Sequence, residues 1–232
     1  MSTQWVKRRL RAHGFWPQPF PINSGRGPVT RRQIRRFQAS VGLAADAVVG
    51  PLTTAALKAQ PVNKRGERAR AVGWANDAVG VVYHPAGSND GPRIRKWWQS
   101  AGYTSPVPYC ACFVACAVQH ATRKRVKASQ LGGYCPAIVS MARSNRYGLR
   151  IVQLKDARPG DIVMFDFGHE TYDHTGLFLS HDGDSIRTIE ANTSPDTSLD
   201  QSIQAQANGG GVFRRRRSRS LVSAVVRPPY RN

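Results

Sequence analysis

The apolar pattern of the chain changes once and does not change back. Up to about residue 143 it repeats with a helical period, and from Asp161 onward it comes in short alternating runs. Helices gathered first and strands gathered last do not make alternating βαβ units. They predict an α+β fold, with helices packed on an antiparallel sheet. The expected helices are Glu67–Val79, Pro92–Ala101, Cys110–Ala121 and Ala137–Arg143. The expected strands are Asp161–Phe165, Thr175–Ser180, Ser185–Ala191, Val212–Arg217 and Leu221–Arg227. Asp182-Gly183-Asp184 reads as a tight turn, and Ser218-Arg219-Ser220 as the turn of a closing hairpin.

A smaller helical unit precedes these elements. Trp5, Val6, Leu10 and Phe15 space a short amphipathic helix that ends near Gly14. Pro17, Pro19 and Pro21 mark a loop. Thr30 is the expected N-cap of a second helix carrying Ile34, Phe37 and Gln38, closed by Gly42. Gly50-Pro51 opens a third, with proline suited to the first turn. The polar stretch after Gln60, with Pro61 and Gly66, reads as a linker. The expected organisation is residues 1–60, a linker 61–66, and a second domain 67–232.

The run Ile34 to Gln38, then Gly42-Leu43, Asp46, Val49-Gly50-Pro51, Thr53 and Ala56-Leu57 resembles the three-helix peptidoglycan-binding domain. Ala47 departs from it, standing where that family usually has glycine after the aspartate. That position calls for a positive φ.

Charge narrows the partners. The formal net charge is +20. Residues 1–62 hold ten basic residues against one acid, +9, which leaves +11 for the rest. Such a chain is drawn to polyanions. No stretch approaches the roughly 18 apolar residues of a membrane-spanning helix. The basic N-terminus is followed by no apolar stretch of the kind a secretory signal needs, so synthesis in the host cytoplasm without a signal peptide is expected. Arg214-Arg215-Arg216-Arg217 suggests nucleic acid in isolation. On a strand, however, alternate arginines point to opposite faces, so a hairpin with one basic face is expected and nucleic acid is not.

Four cysteines are too few for a disulfide scaffold. Cys110, Cys112 and Cys116 lack the paired knuckles and histidine partners of a zinc site. Cys110 begins an apolar helix after Pro108-Tyr109, where unpaired N–H groups favour a thiolate. Cys112 and Cys116 sit deeper, among apolar neighbours, as packing residues. Of six histidines, His120 lies about 15 Å along the helix from Cys110. His174 begins a strand, from which an imidazole can reach a helix N-terminus. Glu190 and Asn192 are two apart on the next strand, and either could orient that imidazole.

Pro108 to Val114 resembles the catalytic helix of the CHAP domain, an amidohydrolase/peptidase module with a papain-like fold. Pro159 to Phe165, Asp173 to Leu177 and Glu190 to Thr193 resemble its first core strand, histidine strand and orienting strand. Gly209 to Arg215 with Val225 to Pro228 resembles the closing hairpin of phage members. The resemblance implies Cys110 as nucleophile, His174 as general base, Glu190 as its orienter, and Asn192 as an aid to the imidazole or the oxyanion. It makes Tyr109 and Asp173 the expected substrate contacts.

The expected protein is thus a monomeric phage endolysin-like hydrolase that binds peptidoglycan and anionic envelope polymers. It would cut a stem-peptide amide, as amidase or endopeptidase, after release through a holin pore. Its charge would aid wall adsorption. No metal or cofactor is expected; calcium, bound by some CHAP domains, stays a lesser alternative. Rival readings are a virion-associated or wall-remodelling hydrolase and a non-catalytic wall-binding protein.

Overall fold

Proline is the first residue of three of the helices that shape this molecule. The computed structural model describes residues 1–13, 15–16, 21–59, 66–168, 171–195 and 210–231. Gly14, Pro17, Pro19, His169, Gly209 and linker residues 61–65 lie outside the described residues.

The N-terminal unit is α1 (Thr3–Ala12), α2 (Pro28–Ser40) and α3 (Pro51–Lys58). Val6, Leu10, Ile34, Phe37 and Leu57 form its core. α2 begins earlier than its sequence suggested. Gly27 is the N-cap and Pro28 opens the helix, while Thr30 lies inside it. A proline at the first turn already fixes the backbone angle a helix needs, and it removes one N–H that would go unpaired. Gln38 ties the α2–α3 loop together. Its amide nitrogen donates to Asp46 Oδ1, Val48 O and Thr53 Oγ1, and its Oε1 accepts from Ala47 N. Ala47 holds φ 66°, so the turn keeps its left-handed residue without the glycine.

The larger unit carries α4 (Glu67–Asn76), α5 (Pro92–Ser100), α6 (Cys110–Ala121), α7 (Ala128–Leu131) and α8 (Cys135–Arg143). Its strands are β1 (Arg150–Val152), β2 (Ile162–Phe165), β3 (His174–Asp182), β4 (Ser185–Thr193), β5 (Gly211–Ser218) and β6 (Val222–Arg227). All observed pairings are antiparallel, in the order β1-β6-β2-β3-β4-β5. The α+β class therefore holds. α6 is the central helix; ten of its twelve residues are buried, against α4, α5, α7 and the middle of the sheet.

The expected β5–β6 hairpin does not form. β5 pairs with β4, and β6 lies between β1 and β2. Yet only Arg219–Leu221 joins β5 to β6. Three residues reach about 10 Å, whereas four strand spacings of a flat sheet span about 19 Å. The sheet must therefore curl until β5 approaches β2. Val163, Phe165, Phe178 and Ile186 fill that curl, and Ile162, Met164, Leu177, Leu179 and Ile189 face the helices. The alternation of apolar residues on β2 and β3 serves two cores.

The arginine run splits by face but does not present a basic face. Arg215 and Arg217 are buried, Arg214 donates to Asn76 Oδ1 at 2.6 Å, and Arg216 pairs with Asp182 at 3.0 Å. Asp161, in the Pro-Gly-Asp turn, is also structural: it is fully buried and pairs with Arg68 and Arg227.

Candidate functional site

Cys110 is the first residue of α6, and Cys135 is the first residue of α8. Gly133 lets the second helix start close to the first. A Cβ there would lie 2.5 Å from Cys112 Sγ. The Cys135 thiol faces the Cys110 sulfur and, as a donor, favours its thiolate form. The start of β3 brings the His174 imidazole beside the Cys110 sulfur, where each favours the charged form of the other.

His174 Nε2 meets Glu190 Oε2 at 3.0 Å, which leaves Nδ1 for the thiol. Glu190 sits on β4, opposite Gly176 of β3. A Cβ on Gly176 would lie 2.5 Å from Glu190 Cγ, so the glycine makes room for the carboxylate. Thr188 Oγ1 donates to Glu190 Oε1 at 2.6 Å. Arg217 completes the chain. Its Nε donates to both oxygens of Glu190, at 3.0 and 3.1 Å, and its Nη2 makes a further short bond to Oε2. The guanidinium lies 5.6 Å from the Phe165 ring centre and 5.0 Å from that of Phe167. Glu190 and Arg217 are both fully buried.

These contacts set the charges. The bond from Cys135, together with His174 and the Ala111 backbone N–H, outweighs burial and holds Cys110 well below the ordinary thiol value. Cys135 is pushed well above it by the same bond, by burial and by the charge of Asp173. Burial alone would lower His174, but its contacts with Cys110 and Glu190 raise it to about 9. Burial opposes ionisation of Glu190, yet the Arg217 charge and the bonds from His174 and Arg217 hold it well below the usual carboxylate range. At neutral pH the sequence is thiolate, imidazolium, carboxylate, guanidinium. The charges alternate at every step. Cys112 and Cys116 are pushed up to about 12 by burial, and all four cysteines are free.

The other expected site residues are placed differently. Asn192 has φ 58°, and the β4–β5 register shifts beside it. Strand alternation therefore fails at that residue. Among the described residues no hydrogen bond joins Asn192 to His174, and its buried Oδ1 has no partner. Glu190, of the two candidates, is the one that contacts the imidazole. Tyr109 is fully buried, with its ring 6.1 Å from that of Trp97. Its side chain offers no surface for a substrate contact. Asp173 accepts from Phe167 N at 2.9 Å and braces the turn before β3. Among the described histidines, His13 bonds Leu57 O and His120 stacks on Trp74. No group of three or more His, Cys, Asp or Glu among the described residues is placed to hold a metal ion. No described helix is long and apolar enough to cross a membrane.

Sequence reasoning missed Arg217, Thr188, Gly176 and Cys135 as parts of this site. Arg217 left a faint signal. On a strand, half of a four-arginine run must face inward, and an inward arginine needs a carboxylate on a neighbouring strand.

The geometry first defines a class: an α+β domain with a thiol at a helix N-terminus, paired to a carboxylate-bound imidazole. Such a layout can support thiol catalysis. The family comparison then supplies the particulars. Residues 98–192 match the CHAP domain, and residues 2–57 match the family described as "Putative peptidoglycan binding domain". Both matches fall in the order the sequence motifs suggested, and they fit a hydrolase-type protein that acts on the cell wall. No curated protein and no solved structure matches the chain. The CHAP match spans Cys110, His174, Glu190 and Asn192, and ends before Arg217.

One prediction needs no substrate. Cys135→Ala removes the donor that contributes most to the low thiol pKa. The pH at which Cys110 is half-alkylated by iodoacetamide should therefore rise. Alkylation read by mass spectrometry checks this; an unmoved midpoint would show that His174 suffices.

Proposed function

We propose that the chain is a peptidoglycan hydrolase that cuts an amide bond in the stem peptide, with Cys110 as nucleophile. The observation that carries this is the His174–Glu190 hydrogen bond beside the Cys110 thiol, in a protein whose N-terminal residues match a family described as a putative peptidoglycan binding domain. In this reading residues 1–60 hold the wall, residues 61–66 join, and residues 67–232 cut. The Cys110 thiolate attacks the amide carbonyl, so a C–S bond forms and the C–N bond breaks. The His174 imidazolium gives its proton to the leaving amine. It then takes a proton from water, which opens the thioester and frees the thiolate. Every proton and electron pair in this step comes from side chains, substrate and water. Glu190 orients the imidazole and stabilises its charge, and Arg217 is a positioning residue that keeps Glu190 ionised. Asn192, whose buried Oδ1 has no partner, takes the assisting role beside the imidazole in this reading. The setting that fits best is a phage-type lysin released at host lysis.

Mass spectrometry of muropeptides from digested, purified peptidoglycan tests the reaction. A new N-terminal alanine means cleavage between muramic acid and the stem, and an internal cut means an endopeptidase. Intact muropeptides would overturn the proposal.

Gly176→Ala should act chiefly through Glu190, with a lesser contact to the Ile189 carbonyl oxygen at 3.0 Å. The added methyl group needs the space of Glu190 Cγ. Displacing the carboxylate by about 1 Å should lower kcat on the order of 100-fold. Cys110 alkylation should slow as well. A normal kcat would show that Glu190 need not stand where it does.

A further inference from the structure

The far end of α6 from Cys110 opens into a second groove. It lies between α4, α5 and the turn after α6, and it encloses a volume of about 570 Å³. Arg93, Lys96, Arg123 and Lys124 line it, with Trp74 and Trp97 on its wall, and no acidic side chain lines it among the described residues. Several cations elsewhere in this domain are matched. Arg68 and Arg227 pair with Asp161, Arg125 with Glu67, and Arg187 and Arg216 with Asp182. No ion pair among the described residues reaches the four groove cations.

The turn itself is costly. Arg123 and Lys124 hold φ 51° and 65° in succession. Left-handed backbone is unfavourable for a side-chain-bearing residue, and glycine would relieve it. The turn carries two long, exposed cations instead. Uncompensated like charges around a recess suit an anion with several charges. A flat base would need an open ring face to stack on. Trp74 is flanked by Phe113 at 5.2 Å and His120 at 6.2 Å, and Trp97 is 4% exposed. The groove therefore favours a flexible, non-planar chain of phosphates.

We infer that this groove is a second anchoring site, built into the CHAP-type domain, for a phosphate-bearing polyol polymer of the bacterial envelope. The inference rests on the wall-directed reading above for its source of ligand. Its cations are separate from catalysis, because the twelve residues of α6 place the Arg123–Lys124 turn about 18 Å along the helix axis from Cys110.

The test uses the full chain and poly(glycerol phosphate) free of peptidoglycan. Arg123→Glu/Lys124→Glu should weaken binding by about tenfold or more at moderate salt. Arg123→Gly/Lys124→Gly eases the turn while removing the charge, and should weaken it in the same direction, which separates binding from misfolding. Arg150→Glu/Lys155→Glu makes the same charge change at exposed sites outside the groove and should cost less than about twofold. Equal losses in groove and control variants would reduce the effect to bulk charge and overturn the inference. So would tighter binding of single-stranded DNA through the same two residues. Clearing of phosphate-free peptidoglycan should be unchanged in the groove variants. If the unmodified protein fails to clear it, the hydrolase reading fails and the binding result still stands.

Discussion

Cys110→Ala is expected to lower clearing of purified peptidoglycan by at least about four orders of magnitude, to background. The expectation follows from the arrangement of charges. Cys110 is the only cysteine whose surroundings pull its pKa down; Cys112, Cys116 and Cys135 are all pushed up. No other described thiol can substitute. His174→Ala should cost about as much, because the two residues act as one unit. The double variant should then lose no more than either single one. His169→Ala should keep full activity. Additive losses in the double variant would mean that Cys110 and His174 contribute separately, contrary to the proposed mechanism. A readout without substrate exists as well. His174 owes part of its raised value, about 9, to Cys110. In Cys110→Ala its NMR titration should move to lower pH. The same raised value makes its contribution to stability complete below the unfolded range near 6.5. That contribution is lost as pH rises through about 9.

How much of this was legible depends on whether the cause was local. α6 begins and ends where the sequence placed it, because an unbroken apolar run between Pro108-Tyr109 and the polar Thr122 to Lys124 leaves little choice. Gly50-Pro51 and the strand cores were local in the same way. The β5–β6 pairing was not. Ser218-Arg219-Ser220 has the look of a hairpin turn, but β6 is held between β1 and β2 by the curl of the whole sheet. Glu190 and Asn192 looked equivalent under strand alternation, and a left-handed residue at Asn192 separates them. Arg217 was hidden most completely. Four consecutive arginines suggest solvent, and nothing within the run marks the one that faces a buried carboxylate.

Arg217→Met is therefore the sharpest test of what the structure adds. Removing one partner of a buried ion pair costs about 3–5 kcal/mol, since the other charge is left uncompensated. At neutral pH Tm should fall by roughly 10 °C. The direction with pH follows from Glu190. Its folded value is depressed, so its contribution to stability is present above the unfolded carboxylate range and is lost as pH falls below it. Without Arg217, burial dominates and the carboxyl pKa rises. A neutral Glu190 needs no counter-charge, so the gap in Tm between the two proteins should narrow from pH 7 toward pH 4. Activity should follow, with the acid limb of the kcat profile moving upward in pH, because a neutral Glu190 no longer stabilises the imidazolium. Arg217→Lys keeps the charge but not the two-pronged geometry, so it should restore much of the pH profile and only part of kcat. A gap in Tm that stays constant with pH, together with an unshifted acid limb, would reduce Arg217 to a packing residue. The rescue separates the two roles, since lysine fills the space poorly but carries the charge.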